Sequence, residues 1–194
     1  MMMMLNKNIV LLGVTGFTGS LISELLLKND INFIPAGRDL SQLKKIYKNS
    51  DITPAHVDID SVESVNLLLQ KTDILINCIG PYNLYGNEIL KQIAEKNIIY
   101  IDISGEQEYI YNSFEKLDET AKQNKSTIIH SVSFESYIAD MLADLVIEKD
   151  TQYKDISSFY YFANGRASSG TRLSMKLNKF FKSFALKNNE LQVL

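Results

Sequence analysis

Between residues 7 and 132, short apolar runs alternate with longer segments of helical spacing. The apolar runs cover residues 7–14, 32–36, 52–57, 73–79, 98–103 and 127–132. Between them lie segments 18–28, 41–48, 61–70, 87–96 and 109–123. In the first of these, Leu21, Ile22, Leu25 and Leu26 recur at the spacing of one helix face. The strand-like runs are continuously apolar, as strands covered on both faces must be. Strand–helix repetition of this kind leaves few solutions. With right-handed crossovers, it predicts an α/β chain with a doubly wound parallel sheet. Pro54 lacks an N–H for a ladder and so argues for an edge position or irregular pairing of the third strand. Ser41 and Ser61 are expected to cap the helices that follow them.

The first strand–helix junction reads Gly13-Val14-Thr15-Gly16-Phe17-Thr18-Gly19. Glycine suits a tight turn whose backbone comes close to a pyrophosphate. A helix opening directly after the turn offers free N–H groups and its positive dipole end to phosphates. At the first junction of an alternating chain, this G-x-x-G-x-x-G spacing points to a Rossmann-type dinucleotide site. Gly13, Thr15, Gly16, Phe17, Thr18 and Gly19 are its residues. The competing reading is a structural turn.

The second strand ends Pro35-Ala36-Gly37-Arg38-Asp39, and Arg38 lies 19 residues after Gly19. A carboxylate at this level would bind the ribose diol of NAD(H). A guanidinium fits a 2′-phosphate instead, and Gly37 leaves room for it. The expected cofactor is therefore NADP(H) in preference to NAD(H). The alternative makes Arg38 a surface residue and Asp39 the cap of the next helix. Asp58, after the third strand, either contacts the adenine edge or caps the helix that follows. The fourth strand ends in Cys78, Ile79, Gly80 and Pro81, where the chain would bend beneath the nicotinamide ribose. A lone cysteine in an apolar strand is a packed residue more often than a nucleophile. Tyr82, Asp102, Gly105 and Glu106 follow carboxyl ends of strands and are substrate-side candidates. The last three equally suit a helix cap.

No lysine has a tyrosine four residues before it, so a Tyr-x-x-x-Lys proton donor is absent. His56 and His130 have no partner recognisable from sequence, and His130 reads mainly as structural. The catalytic group stays unidentified. With one cysteine and two distant histidines, no metal site is expected. A formal charge of −3 gives no electrostatic footprint for nucleic acid. No run approaches the ~18 apolar residues of a membrane span, and no signal-peptide pattern is present. A cytoplasmic location is the expectation.

These segments together resemble the saccharopine dehydrogenase-like oxidoreductases, including trans-acting enoyl reductases of lipid synthesis. The resemblance runs through Gly13–Gly19, Ala36-Gly37-Arg38, Asn77-Cys78-Ile79-Gly80-Pro81-Tyr82 with Leu84-Tyr85-Gly86, and Asp102 to Glu106. It continues through Ser133-Phe134-Glu135-Ser136 to Asp140 and ends near Ser169-Gly170-Thr171. It implies an NADP-type Rossmann domain followed by a substrate domain. Hydride transfer to or from an enoyl, imine or carbonyl carbon of a small or lipid-like substrate is implied as well. The family pattern has Gly-Phe-Asp-Ser where this chain has Ser133-Phe134-Glu135-Ser136, and family members are longer.

The expected division is a cofactor domain at 1–132 and an incomplete α+β substrate or dimerisation part at 133–194. In that part, 137–148 and 171–187 read as helices and 154–163 as a strand, with no closing element evident. An unpartnered aromatic run, Phe159–Phe162, would offer a route to homo-oligomers. A non-catalytic dinucleotide-binding module for redox sensing or partner anchoring is the competing function.

Overall fold

A computed structural model describes residues 7–149, 156–161, 163–187 and 190–193. Its first half alternates β1 (Ile9–Leu12), α1 (Phe17–Lys28), β2 (Ile34–Gly37), α2 (Leu40–Ile46), β3 (Ala55–His56) and α3 (Val62–Leu69). The alternation continues with β4 (Ile74–Asn77), α4 (Tyr82–Ala94), β5 (Ile99–Asp102), α5 (Gln107–Asn124) and β6 (Thr127–Ile129). After these come α6 (Ser136–Lys149), α7 (Ser169–Asn178), β7 (Phe184–Lys187) and β8 (Glu190–Val193). The six-stranded sheet is parallel throughout, in the order β3-β2-β1-β4-β5-β6. This is the doubly wound Rossmann order, and it reverses direction between β1 and β4.

The continuous apolar strands follow from burial on both faces. Val10 and Leu12 of β1 point into one core with Leu75, Ile89, Leu90, Ile93, Tyr100 and Tyr109. Leu11, one residue out of phase, joins Val14, Phe33, Leu43 and Tyr47 on the opposite face. Each fully buried aliphatic side chain contributes about 1.5–3 kcal/mol relative to exposure. Ser61 caps α3 as expected, its Oγ accepting from Ser64 N at 3.2 Å. The third strand is short and lies at the sheet edge, where Pro54 is tolerated.

Several boundaries differ from the sequence expectation. Asp39, not Ser41, caps α2, with Oδ1 accepting from Gln42 N at 2.8 Å and Ser41 Oγ at 2.6 Å. Helix α4 starts five residues earlier than its periodicity indicates. A carboxylate from elsewhere in the chain caps its first turn, as described below. In the expected strand 154–163, residues 156–161 are described and are not in a strand. Phe159 and Tyr161 are 93% and 91% exposed there; Phe162 lies outside the described residues. The expected helix 171–187 ends at Asn178, and β7 then forms an antiparallel hairpin with β8. Strand β7 is anchored at its start: Phe184 N donates to Gln107 Oε1 at 2.8 Å, and its ring stacks on Tyr111 at 4.5 Å.

Candidate functional site

Parallel register brings the sequence-predicted residues to one edge. Leu12 is paired with Ala36 and Asn77, and Asn77 with Asp102. Four strands therefore end level, and the segments starting at Gly13, Gly37, Cys78 and Ile103 leave the sheet side by side. Open α/β sheets bind ligands beyond this edge, at the strand-order reversal. Here that point lies between Gly13 and Cys78.

The glycine turn is shaped for close approach. Gly13 has φ +83°, a conformation that L side chains rarely adopt. A Cβ on Gly19 would overlap the Gly13 carbonyl, so only glycine lets α1 pack onto the turn. Gly16 is the N-cap of α1, with no side-chain cap and no acidic residue in the first turn. The start of α1 thus keeps its backbone donors and positive dipole end for an anion. Thr15, Gly16 and Phe17 are exposed and Thr18 is half-buried at this opening.

Beside the turn, Arg38 is exposed and forms no ion pair among the described residues. Its neighbour Asp39 is occupied as the α2 cap. The Ser41 hydroxyl and then the Gln42 N–H hold that carboxyl below the usual carboxylate value. Asp58 is half-buried in its own local turn, accepting from Asp60 N at 3.2 Å. Its backbone N–H donates to Ser64 Oγ at 3.0 Å.

On the other side of the reversal, Asn77 is fully buried. Its Oδ1 accepts from Ile79 N at 2.9 Å and shapes the strand exit. The Cys78 thiol is pushed up to about 12, by burial first and by Asp102 second. It stays protonated and packed at neutral pH rather than serving as a thiolate. Gly80 and the buried Pro81 lead into α4. Tyr82 is buried, and its hydroxyl donates to Asn77 O at 2.8 Å. Burial raises its pKa, keeping that proton in place.

The four substrate-side candidates divide into one open residue, Gly105, and three buried ones, Tyr82 and the carboxylates Asp102 and Glu106. Gly105 is exposed, with open space around it. Asp102 is fully buried below the edge. Its Oδ1 accepts from Ser104 N, Ser104 Oγ and Ser131 N at 2.8–3.0 Å. Its Oδ2 accepts from Tyr109 Oη at 3.0 Å and His130 Nδ1 at 2.7 Å. Burial pushes this carboxyl up, but the His130 hydrogen bond and charge, with Ser104, outweigh it and leave the pKa lowered. Because Tyr109 donates to Asp102, its oxygen accepts from Tyr100, whose oxygen accepts from Asn77 Nδ2. His130 Nε2 meets Ser113 Oγ at 2.9 Å. His130 thus has two partners, which the sequence did not reveal. The network ties β4, β5, β6 and α5 together. Its signal in the sequence was polar side chains within apolar strands, which must find partners when buried.

Glu106 is 3% exposed, and it provides the missing cap of α4. Its carboxylate accepts from Tyr82 N at 2.9 Å and Asn83 N at 2.7 Å. It also accepts from Ser174 Oγ of α7 at 3.1 Å. Lys182 N donates to Glu108 Oε2 at 2.9 Å. Helix α7 and β7 therefore lie against the outlet of β5.

A glycine turn opening an uncapped helix at the reversal of a 3-2-1-4-5-6 sheet defines a dinucleotide-binding Rossmann domain. Residues 9–129 match the saccharopine dehydrogenase NADP binding domain family, and the chain belongs to it. A Caenorhabditis elegans protein named lipid droplet localized protein is 29% identical over 147 residues, 69% of this chain and 34% of that protein. A human saccharopine dehydrogenase-like oxidoreductase is 26% identical over 153 residues, 69% of this chain and 36% of that protein. The chain spans about a third of the length of these relatives. The apo saccharopine dehydrogenase (L-Glu forming) of Saccharomyces cerevisiae shares the fold, with TM-score 0.61 and 21% identity, covering 74% of this chain and 31% of that one.

Proposed function

We propose that the chain binds NADP(H) and forms the cofactor-binding part of an oxidoreductase. The observation that carries this is the uncapped start of α1 behind Gly13–Gly19, with the exposed Arg38 beside it. Backbone N–H groups of the turn and helix start would hold the pyrophosphate. Arg38 would hold the 2′-phosphate, and Gly37 leaves space for it. Asp58 would face the adenine, and Cys78, Ile79, Gly80 and Pro81 the nicotinamide ribose. The bound cofactor supplies hydride chemistry; the protein orients it and excludes water.

The domain boundary at residue 132 belongs to this proposal, with 133–194 opening a substrate or dimerisation part. So does a cytoplasmic location. An enoyl, imine or carbonyl substrate belongs to this proposal too, and the name of one relative supports the enoyl. One of these, from Mycobacterium tuberculosis, is described as a trans-acting enoyl reductase, 25% identical over 141 residues. Calorimetric titration with NADPH and NADH, followed by turnover assays on enoyl and carbonyl substrates, tests the reading. Binding with turnover supports it; failure to bind either nucleotide refutes it.

A second reading, a dinucleotide-binding module without chemistry, is favoured by one observation. Tyr82, Asp102 and Glu106 are all buried and engaged in structural hydrogen bonds. Binding without turnover would select it.

A further inference from the structure

Between the start of α4, the exit of β5 and the start of β7, the surface folds into a cleft of about 320 Å³. This is at the small end of the range for ligand pockets. Asn83, the second residue of α4, reaches it directly after Gly80, Pro81 and Tyr82. Gly105 keeps the β5 side open, since nothing lies within 4 Å of its Cβ position. Phe181 and Phe184, both half-buried, give the cleft an apolar wall. Gln107, Lys182 and Ser183 complete the lining.

The polar groups of this lining are unspent. Among the described residues, Lys182 enters no ion pair. The Asn83 side-chain amide and the Ser183 hydroxyl make no hydrogen bond there, and Gln107 uses only its oxygen, on Phe184 N. Each of these groups can donate, and Lys182 alone carries a charge. The two carboxylates nearby are engaged and do not line the cleft. Glu106 accepts from Tyr82 N, Asn83 N and Ser174 Oγ, and Glu108 accepts from Lys182 N. A cleft with one cation, several spare donors and no free carboxylate selects an anion.

We propose that this cleft binds an anionic group of the substrate, a carboxylate or a phosphate on a small apolar body. Lys182 neutralises the charge. Asn83, Gln107 and Ser183 donate to its oxygens, and Phe181 borders the apolar body. The inference rests on the NADP(H) reading, because the cleft adjoins the Gly80–Pro81 exit assigned to the nicotinamide ribose. It also gives the second part of the chain a share in the site, since Lys182 lies on the segment between α7 and β7.

Benzoate, phenyl phosphate and the uncharged benzamide test the charge selection. Saturation-transfer NMR titrations would compare the wild type, Lys182→Gln and Lys182→Arg, with and without saturating NADPH. Lys182 is exposed, and thermal melting serves as the folding control. One or both anions should bind the wild type about tenfold more tightly than benzamide. Lys182→Gln should weaken that binding about tenfold, the loss of one charge-assisted hydrogen bond, and Lys182→Arg should restore most of it. The tighter anion identifies the group as carboxylate or phosphate. NADPH should bind Lys182→Gln within about twofold of the wild type, and should leave the anion in place. A wild type that binds neither nucleotide refutes the cofactor reading, while anion binding that depends on Lys182 would still establish the cleft. Failure to bind either anion, benzamide binding as tightly or anion binding that survives Lys182→Gln would overturn the proposal. So would displacement of the anion by NADPH, which would place it in the cofactor's phosphate site.

Discussion

The two parts of the chain handle apolar side chains in opposite ways. Among the described residues, every hydrophobic side chain in the buried core lies between Val10 and Ala121. From Phe134 onward, Tyr137, Met141, Leu142, Leu145, Phe159, Tyr161, Met175 and Phe180 are all about half exposed or more. The difference comes from architecture. A parallel sheet offers two faces, and its own crossover helices cover both. Helix α6 follows β6, the last strand of the parallel sheet. Helix α7 reaches Glu106 through the Ser174 hydroxyl. The first part therefore buries its apolar side chains, and the second presents them at the surface.

Mutations should separate the parts sharply. Asp102→Ala leaves His130, Tyr109 and two backbone donors facing an empty site, and should cost about 3–5 kcal/mol in urea unfolding. Leu90→Ala, at a fully buried position, should cost about 2–5 kcal/mol in the same experiment. Glu106→Ala removes the α4 cap and the tie to Ser174 together, with a loss of about 1–2 kcal/mol. It should also speed proteolysis between residues 166 and 187, because the joint between the parts is released. By contrast, Leu142→Ala, at an exposed position of α6, should change monomer stability by no more than about 0.5 kcal/mol. A cost there as large as that of Leu90→Ala would erase the contrast.

Acid should act on the first part through Asp102. Its folded pKa lies below the unfolded value of about 3.9, so its contribution is present above that value. It is lost as pH falls through the folded pKa. Stability from this group should stay flat down to about pH 5 and fall below about pH 4. Asp102→Asn should remove that part of the acid dependence, measured as urea midpoints across pH.

The contrast also explains what was legible in the sequence. The strands, the glycine turn and the Ser61 cap depend on residues close together in the chain, and periodicity and turn chemistry expose them. Glu106 caps a helix whose first residue lies 24 positions earlier. His130 reaches Asp102 across 28 residues. Such pairings exist only once the sheet has brought strand ends level, so local patterns carry no trace of them. The misread residues 156–161 and 171–187 lie outside the six-stranded parallel sheet. Aromatic residues at 159–161 favour a strand, but the described residues 156–161 lie in no strand. Lysines at helical spacing run on past Asn178, while Gln107 and Tyr111 hold Phe184 at the start of a hairpin.

The most direct test is calorimetric titration of the wild type and Arg38→Ala with NADPH and with NADH. NADPH should bind the wild type more tightly. Losing a charged hydrogen-bonding partner of the 2′-phosphate should weaken NADPH binding about 10- to 100-fold. NADH binding should change less than about threefold, because it presents no phosphate to that side chain. Equal losses for both nucleotides would contradict the assignment of Arg38, and no binding of either by the wild type would contradict the dinucleotide site itself.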